Sequence, residues 1–125
     1  MRVNRLILLS AICLMGGLTT AQGASAKRFG AYISCGQIRH HDSVCVSGDA
    51  PYAVFRAFRH ANVAYRVCVL NPKGRNHCRG ERTGARGERD LVHIAAGDLG
   101  RYVVTWKVHG TVVDRDSYRL DPEPA

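Results

Sequence analysis

Apolar residues recur at every second position through most of the chain, and no segment carries the three-to-four spacing of a long amphipathic helix. In the segment 63–69, Val63, Tyr65, Val67 and Val69 share one face, and Arg66 and Cys68 lie on the other. Tyr102, Val104, Trp106 and Val108 form a second apolar face opposite Arg101, Val103, Thr105 and Lys107. His109-Gly110 reads as a tight turn into a strand over 111–120. Val113 and Tyr118 are five apart there, so both can face inward only if a bulge near Asp114 to Asp116 supplies an extra residue. Shorter strands are predicted at 92–94, near Tyr32 and near Cys45. Asp49 and Pro51 could open a helix over 52–58, but the Val and aromatic content favours a strand. About seven short strands separated by turn clusters predict an all-β chain, a single antiparallel β-sandwich. Its core is expected at Tyr65, Val67, Val69, Val92, Ile94, Tyr102, Val104, Trp106 and Tyr118.

The N-terminus departs from this pattern. Arg2 and Arg5 precede an apolar run from Leu6 to Leu18, and Ala24-Ser25-Ala26 supplies small residues for cleavage, with a cut after Gly23 as the alternative. Residues 1–26 therefore read as a cleaved secretory signal peptide. The apolar run is too short to span a bilayer, which takes about 20 residues, and no later run is apolar enough. The expected mature domain is 27–125, with its core within 43–120 and a short polar C-terminal tail. It is expected to be secreted, extracellular or associated with the cell envelope, with no transmembrane segment.

Cys13 would leave with the leader, so Cys35, Cys45, Cys68 and Cys78 remain in an oxidising compartment. Four cysteines allow three pairings. Both neighbouring pairs are separated by nine residues, and Cys68 and Cys78 stand at equal distances from Lys73 in the turn-forming Asn71-Pro72-Lys73-Gly74. Local disulfides, Cys35 with Cys45 and Cys68 with Cys78, are the expected arrangement. The spacings suit neither zinc nor a redox pair. His40, His41 and His77 read as solvated loop histidines, and no metal or cofactor is expected.

Asp98-Leu99-Gly100-Arg101-Tyr102-Val103-Val104 resembles the D-x-G-x-Y-x-C element of immunoglobulin-like domains. The resemblance extends over about 43–120 and implies an Ig-like or fibronectin-like β-sandwich of a small secreted bacterial protein. Asp98, Gly100 and Tyr102 would then form a structural tyrosine corner, and Val92-x-Ile94 would end strand E. Two departures stand out: Val104 occupies the position of the second family cysteine, and Trp106 follows on the same strand rather than on strand C.

Charge adds one candidate surface. Without the leader, 16 basic side chains face 10 acidic ones. Lys73, Arg75, Arg79, Arg82, Arg86 and Arg89 are matched locally only by Glu81 and Glu88, in a Gly-rich stretch expected to be mobile. Such a stretch could attract acidic glycans or wall polymers. It holds no aromatic residue for base stacking, so nucleic acid is not expected among the partners. An envelope protein is another partner class. No catalytic residues are expected: Ser43, Ser47 and Ser117 lack a nucleophile motif, Asp114 and Asp116 read as solvent-facing, and His93 and His109 as strand and turn residues. The chain thus reads as a non-catalytic Ig-like binding or structural module, not an enzyme. The alternatives are a polyanion binder, a protease inhibitor presenting Arg39 on a loop clamped by Cys35 and Cys45, and a small secreted enzyme.

Overall fold

The computed structural model describes residues 27–95 and 97–125; the expected leader, 1–26, lies outside the described residues. Eight strands are present among them: β1 (Phe29–Ser34), β2 (Val44–Val46), β3 (Tyr52–Ala57), β4 (Ala64–Leu70), β5 (Asn76–Arg82), β6 (Asp90–His93), β7 (Gly100–Val108) and β8 (Thr111–Asp121). They form a three-stranded sheet, β1-β3-β6, and a five-stranded sheet, β2-β8-β7-β4-β5. All pairings are antiparallel except β2 with β8, which is parallel.

Alternation decides which faces are buried. Along β7, Tyr102, Val104, Trp106 and Val108 are buried and the residues between them are not. Ile33, Ala53, Phe55 and Val92 come from the three-stranded sheet and join Tyr65, Val67, Tyr102, Val104, Trp106, Tyr118 and Leu120 in one cluster. The two sheets therefore share a core. Phe55 meets Tyr65 across it with ring centroids 4.2 Å apart, and Phe29 stacks on Phe55 at 5.6 Å. Val69, expected in the core, is only partly buried against it. At one end of the cluster, Tyr102 and Tyr118 stack at 4.9 Å, and Tyr118 Oη and Trp106 Nε1 have no hydrogen-bond partner among the described residues.

Both local disulfides are present. Cys68 and Cys78 are direct partners on β4 and β5, with Cα atoms 4.0 Å apart. The hairpin turns as its sequence requires: Asn71 Oδ1 accepts the N–H groups of Lys73 and Arg75, and Gly74 takes a φ of +82°. Cys35 and Cys45 pin the connection after β1 to β2, Cα to Cα 5.5 Å.

The bulge in β8 falls one residue earlier than expected. Trp106 pairs with Asp114 and Lys107 with Val112, which leaves Val113 as the extra residue. Asp114 and Asp116 then take the same parity as the buried Tyr118 and Leu120. The solvent-facing reading of this pair is thereby corrected, and Asp116 lies 2.7 Å from His41 Nε2.

Candidate functional site

The Gly-rich stretch is not a loose loop. β5 runs through it, and the segment that follows is fastened to its neighbours. Thr83 donates its N–H to the Val63 carbonyl at 2.9 Å, and its hydroxyl accepts the Val63 N–H at 2.8 Å. Gly87 N–H bonds to the Ala57 carbonyl, Arg56 Nε to the Gly87 carbonyl, and the Glu88 carboxylate caps Ala85 N–H. The expectation of mobility is corrected, because these backbone groups find protein partners instead of water.

The six basic residues are distributed along this path. Lys73, at the hairpin tip, is 3.3 Å from the Asp98 carboxylate. Arg79 pairs with Glu81 on the same strand. Arg82 donates Nη1 to the Asn62 carbonyl at 3.0 Å, and Arg89 donates Nε to the Tyr32 hydroxyl at 3.0 Å. Arg75 and Arg86 are exposed. β5 is the last strand of its sheet, and every residue on it except Glu81 is exposed.

Two clefts flank this edge strand. The first, about 350 Å³, lies between β4–β5 and the segment after β6. Val67, Val92, Ile94 and Tyr102 contribute apolar lining, and His77, Arg79, His93 and Asp98 are among its polar groups. The charges of Arg79 and Asp98 are already matched by Glu81 and Lys73. The second cleft has a volume of about 600 Å³. Arg28 before β1, Arg59 and His60 after β3, Arg82 at the end of β5 and His109 in the β7–β8 turn line it without a single carboxylate. Phe29, Val63 and Val108 supply its apolar wall. Sequence reading missed this cleft because its cations come from four separate segments. Only Arg82 belonged to the basic stretch.

The clamped loop has its own geometry. His40 N–H closes a turn onto the Gln37 carbonyl at 2.9 Å, with Arg39 inside it. Asp42 accepts the Cys35 N–H at 2.8 Å, and the Tyr32 hydroxyl donates to the Ile38 carbonyl. A loop that offers a side chain to a protease by strand addition must be extended. This one is folded on itself and lacks the extended backbone that an inhibitor loop would present.

The residues weighed for catalysis lie apart. Ser117 Oγ accepts from Arg101 at 3.4 Å on β8, and the Ser43 carbonyl and the Ser47 N–H bond to the backbone of Arg119 and Asp121. His93 packs edge-on to Tyr52, ring centroids 5.4 Å apart. No group of three or more His, Cys, Asp or Glu placed to hold a metal ion occurs among the described residues. Nor is any helix among them long and apolar enough to cross a membrane. Around Tyr102 the contacts are local: its hydroxyl donates to the Asp98 carbonyl at 2.7 Å, and Gly100, at φ +125°, passes so close to Pro72 that a Cβ there would lie 3.0 Å from the Pro72 Cβ. Burial pushes the Tyr102 hydroxyl pKa above its ordinary value.

No family model matches the sequence, and no curated protein matches it. A solved structure, Pseudomonas fluorescens alkylpurine DNA glycosylase AlkC bound to DNA containing an abasic site analog, is similar at 12% identity and a TM-score of 0.43. The match covers 77% of this chain but 31% of that one, so this chain spans less than a third of that protein's length. That neighbour is an enzyme bound to DNA, unlike the non-catalytic Ig-like module, not an enzyme and without a nucleic-acid partner, that is expected from the sequence. At this TM-score the likeness assigns no activity to the present chain.

Proposed function

We propose that this chain is an exported Ig-like β-sandwich that binds anionic polymers along the exposed arginines of β5 and its flanks. The Ig-like arrangement is supported by the parallel pairing of β2 with β8 at the end of the larger sheet and by the Tyr102 hydroxyl bond to the Asp98 carbonyl. Export is supported by the leader pattern of residues 1–26 and by two disulfides, which persist in oxidising compartments.

The observation that carries the binding reading is the edge strand itself. Arg75, Arg79, Arg82 and Arg86 follow one another along an exposed strand and its flanks, where Glu81 and Glu88 are the only acidic residues over 73–89. A linear polyanion laid along such an edge releases counterions at each contact, and the planar guanidinium can donate two parallel bonds to one phosphate or sulfate. The test is retention on a sulfated-glycan column. Arg75→Ser/Arg79→Ser/Arg86→Ser is expected to elute at clearly lower salt than the parent protein; equal elution salt removes the reading.

A further inference from the structure

We infer that the outer face of the five-stranded sheet docks the protein onto a bilayer of anionic lipids: Arg66, Arg101, Lys107 and Arg115 meet headgroup phosphates, and Leu70 and Val112 enter the interface between them. The surface lies beyond the β5 reading and does not rest on it. Arg79 shares the inward parity of its partner Val67, and Arg75 and Arg86 lie outside the strands.

Register assembles this face. Tyr102, Val104, Trp106 and Val108 of β7 are buried, so Arg101, Val103, Thr105 and Lys107 look outward. Their cross-strand partners look outward with them: Arg66, Cys68 and Leu70 from β4, and Val112, Arg115, Ser117 and Arg119 from β8. Lys107 and Arg101 are six residues apart on one strand, about 20 Å at the usual rise, so the cations are spread over a broad face.

The charges on it are left unbalanced. Arg66 stands directly opposite Lys107, and Arg101 directly opposite Arg119. Directly opposed side chains of a sheet are about 5 Å apart, and like charges there destabilise the pairing. Asp121 is the only carboxylate at the strand positions of this face, and it is bonded to Arg119 at 2.6 Å. Arg66, Arg101, Lys107 and Arg115 have no ion pair among the described residues. Thr105 Oγ1 accepts Arg115 Nε at 3.3 Å and Ser117 Oγ accepts Arg101 Nη2 at 3.4 Å, so two guanidiniums are steadied by neutral hydroxyls. An anion placed between the opposed cations relieves the repulsion that folding leaves standing.

Apolar side chains share the face. Leu70, Val112 and Val44 are three of the six large hydrophobic residues exposed among the described ones, and the register puts all three here, Val44 beside Arg119. Leu70, Val103 and Val112 line a depression of about 410 Å³ together with Lys107 and Arg115. A linear polyanion meets cations along one line and gains nothing from the apolar residues among them. A bilayer presents phosphates in two dimensions above acyl chains, and binding there grows with both the apolar area buried and the attraction to anionic lipid. Long cationic side chains can lay their stems along apolar surface and keep their charges at the headgroups.

The experiment is flotation of the full disulfide-bonded protein with vesicles of phosphatidylcholine alone and of phosphatidylcholine mixed equally with phosphatidylglycerol. The parent protein is expected to float with the mixed vesicles only. Arg66→Ser/Lys107→Ser/Arg115→Ser removes a repulsive pair, so the fold is kept; its affinity for mixed vesicles is expected to fall on the order of a hundredfold, at about fivefold per cation. Leu70→Ser/Val112→Ser is expected to weaken binding several-fold. No flotation of the parent, or equal flotation with both vesicles, overturns the inference. Unchanged binding by the triple variant, with weakened binding by Arg75→Ser/Arg79→Ser/Arg86→Ser, overturns it and leaves the β5 reading intact. A triple variant that elutes early from a sulfated-glycan column, with Leu70→Ser/Val112→Ser binding vesicles like the parent, assigns the face to a soluble polyanion and overturns the bilayer.

Discussion

The hydroxyl of Tyr65 on β4 donates to the Asp90 carboxylate on β6 at 2.5 Å, so the two sheets are joined by a hydrogen bond as well as by the core beneath it. Phe55 packs on the same tyrosine ring. Removing the hydroxyl takes away a bond to an ionised group and leaves a partly buried carboxylate short of a donor. Tyr65→Phe should therefore lower stability by about 1 to 2 kcal/mol. Urea unfolding measures this as a shift in midpoint at an unchanged slope.

The tyrosines also set the alkaline limit of stability. Burial first, and then the bond to Asp90, push the Tyr65 hydroxyl far above its ordinary value of 10.0; burial does the same at Tyr118. The folded protein keeps these protons where the unfolded chain releases them, so their contribution is fully present below pH ~10 and is lost as pH rises above it. Denaturant midpoints should be flat from neutrality to about pH 9 and fall steeply beyond pH 10. Tyr65→Phe should make that fall shallower.

Tyr118 behaves differently, because its buried hydroxyl has no partner among the described residues. Tyr118→Phe keeps the ring stacked on Tyr102 and removes a desolvated polar group. The expected result is unchanged stability or a gain of up to about 1 kcal/mol, read from thermal or urea melts. A loss above about 1 kcal/mol would mean that the hydroxyl is hydrogen-bonded in solution.

Gly100, the first residue of β7, lies against Pro72 in the β4–β5 turn. Its φ of +125° disfavours any side chain, and a Cβ would press on Pro72. Gly100→Ala should cost about 1 to 3 kcal/mol. Reducing Cys68–Cys78, which closes the same hairpin, should cost roughly 2 to 3 kcal/mol in the chain-entropy account. Comparing the melting midpoints of Cys68→Ala/Cys78→Ala and the parent checks it.

Much of the architecture could be read from alternation. Tyr102 to Val108 give their buried face by parity alone, Tyr65 and Val67 follow parity while the buried Cys68 on the other face does not, and the equal spacing of the cysteines about Lys73 reads out the hairpin register. Position-specific features were harder. The β8 bulge fell at Val113 because parity shows that an extra residue is needed somewhere between Val113 and Tyr118 without showing where. Ile33 and Phe55 went unnoticed as core residues because their strands are short and weakly patterned. The order of the 83–89 segment was hidden because its fastening partners, Ala57, Asn62 and Val63, lie elsewhere in the chain. The cationic cleft is invisible for the same reason: Arg28, Arg59, Arg82 and His109 converge only once the strands have paired.

The central claim, that exposed arginines on β5 hold an anionic polymer by its backbone charges, is tested most directly by the salt dependence of binding to a single-stranded oligonucleotide. The logarithm of the association constant should fall linearly with the logarithm of salt concentration, at about 0.7 per backbone contact. The slope should be shallower by roughly 2 for Arg75→Ser/Arg79→Ser/Arg86→Ser. Binding that is independent of salt, or a slope identical in the variant and the parent protein, would contradict it.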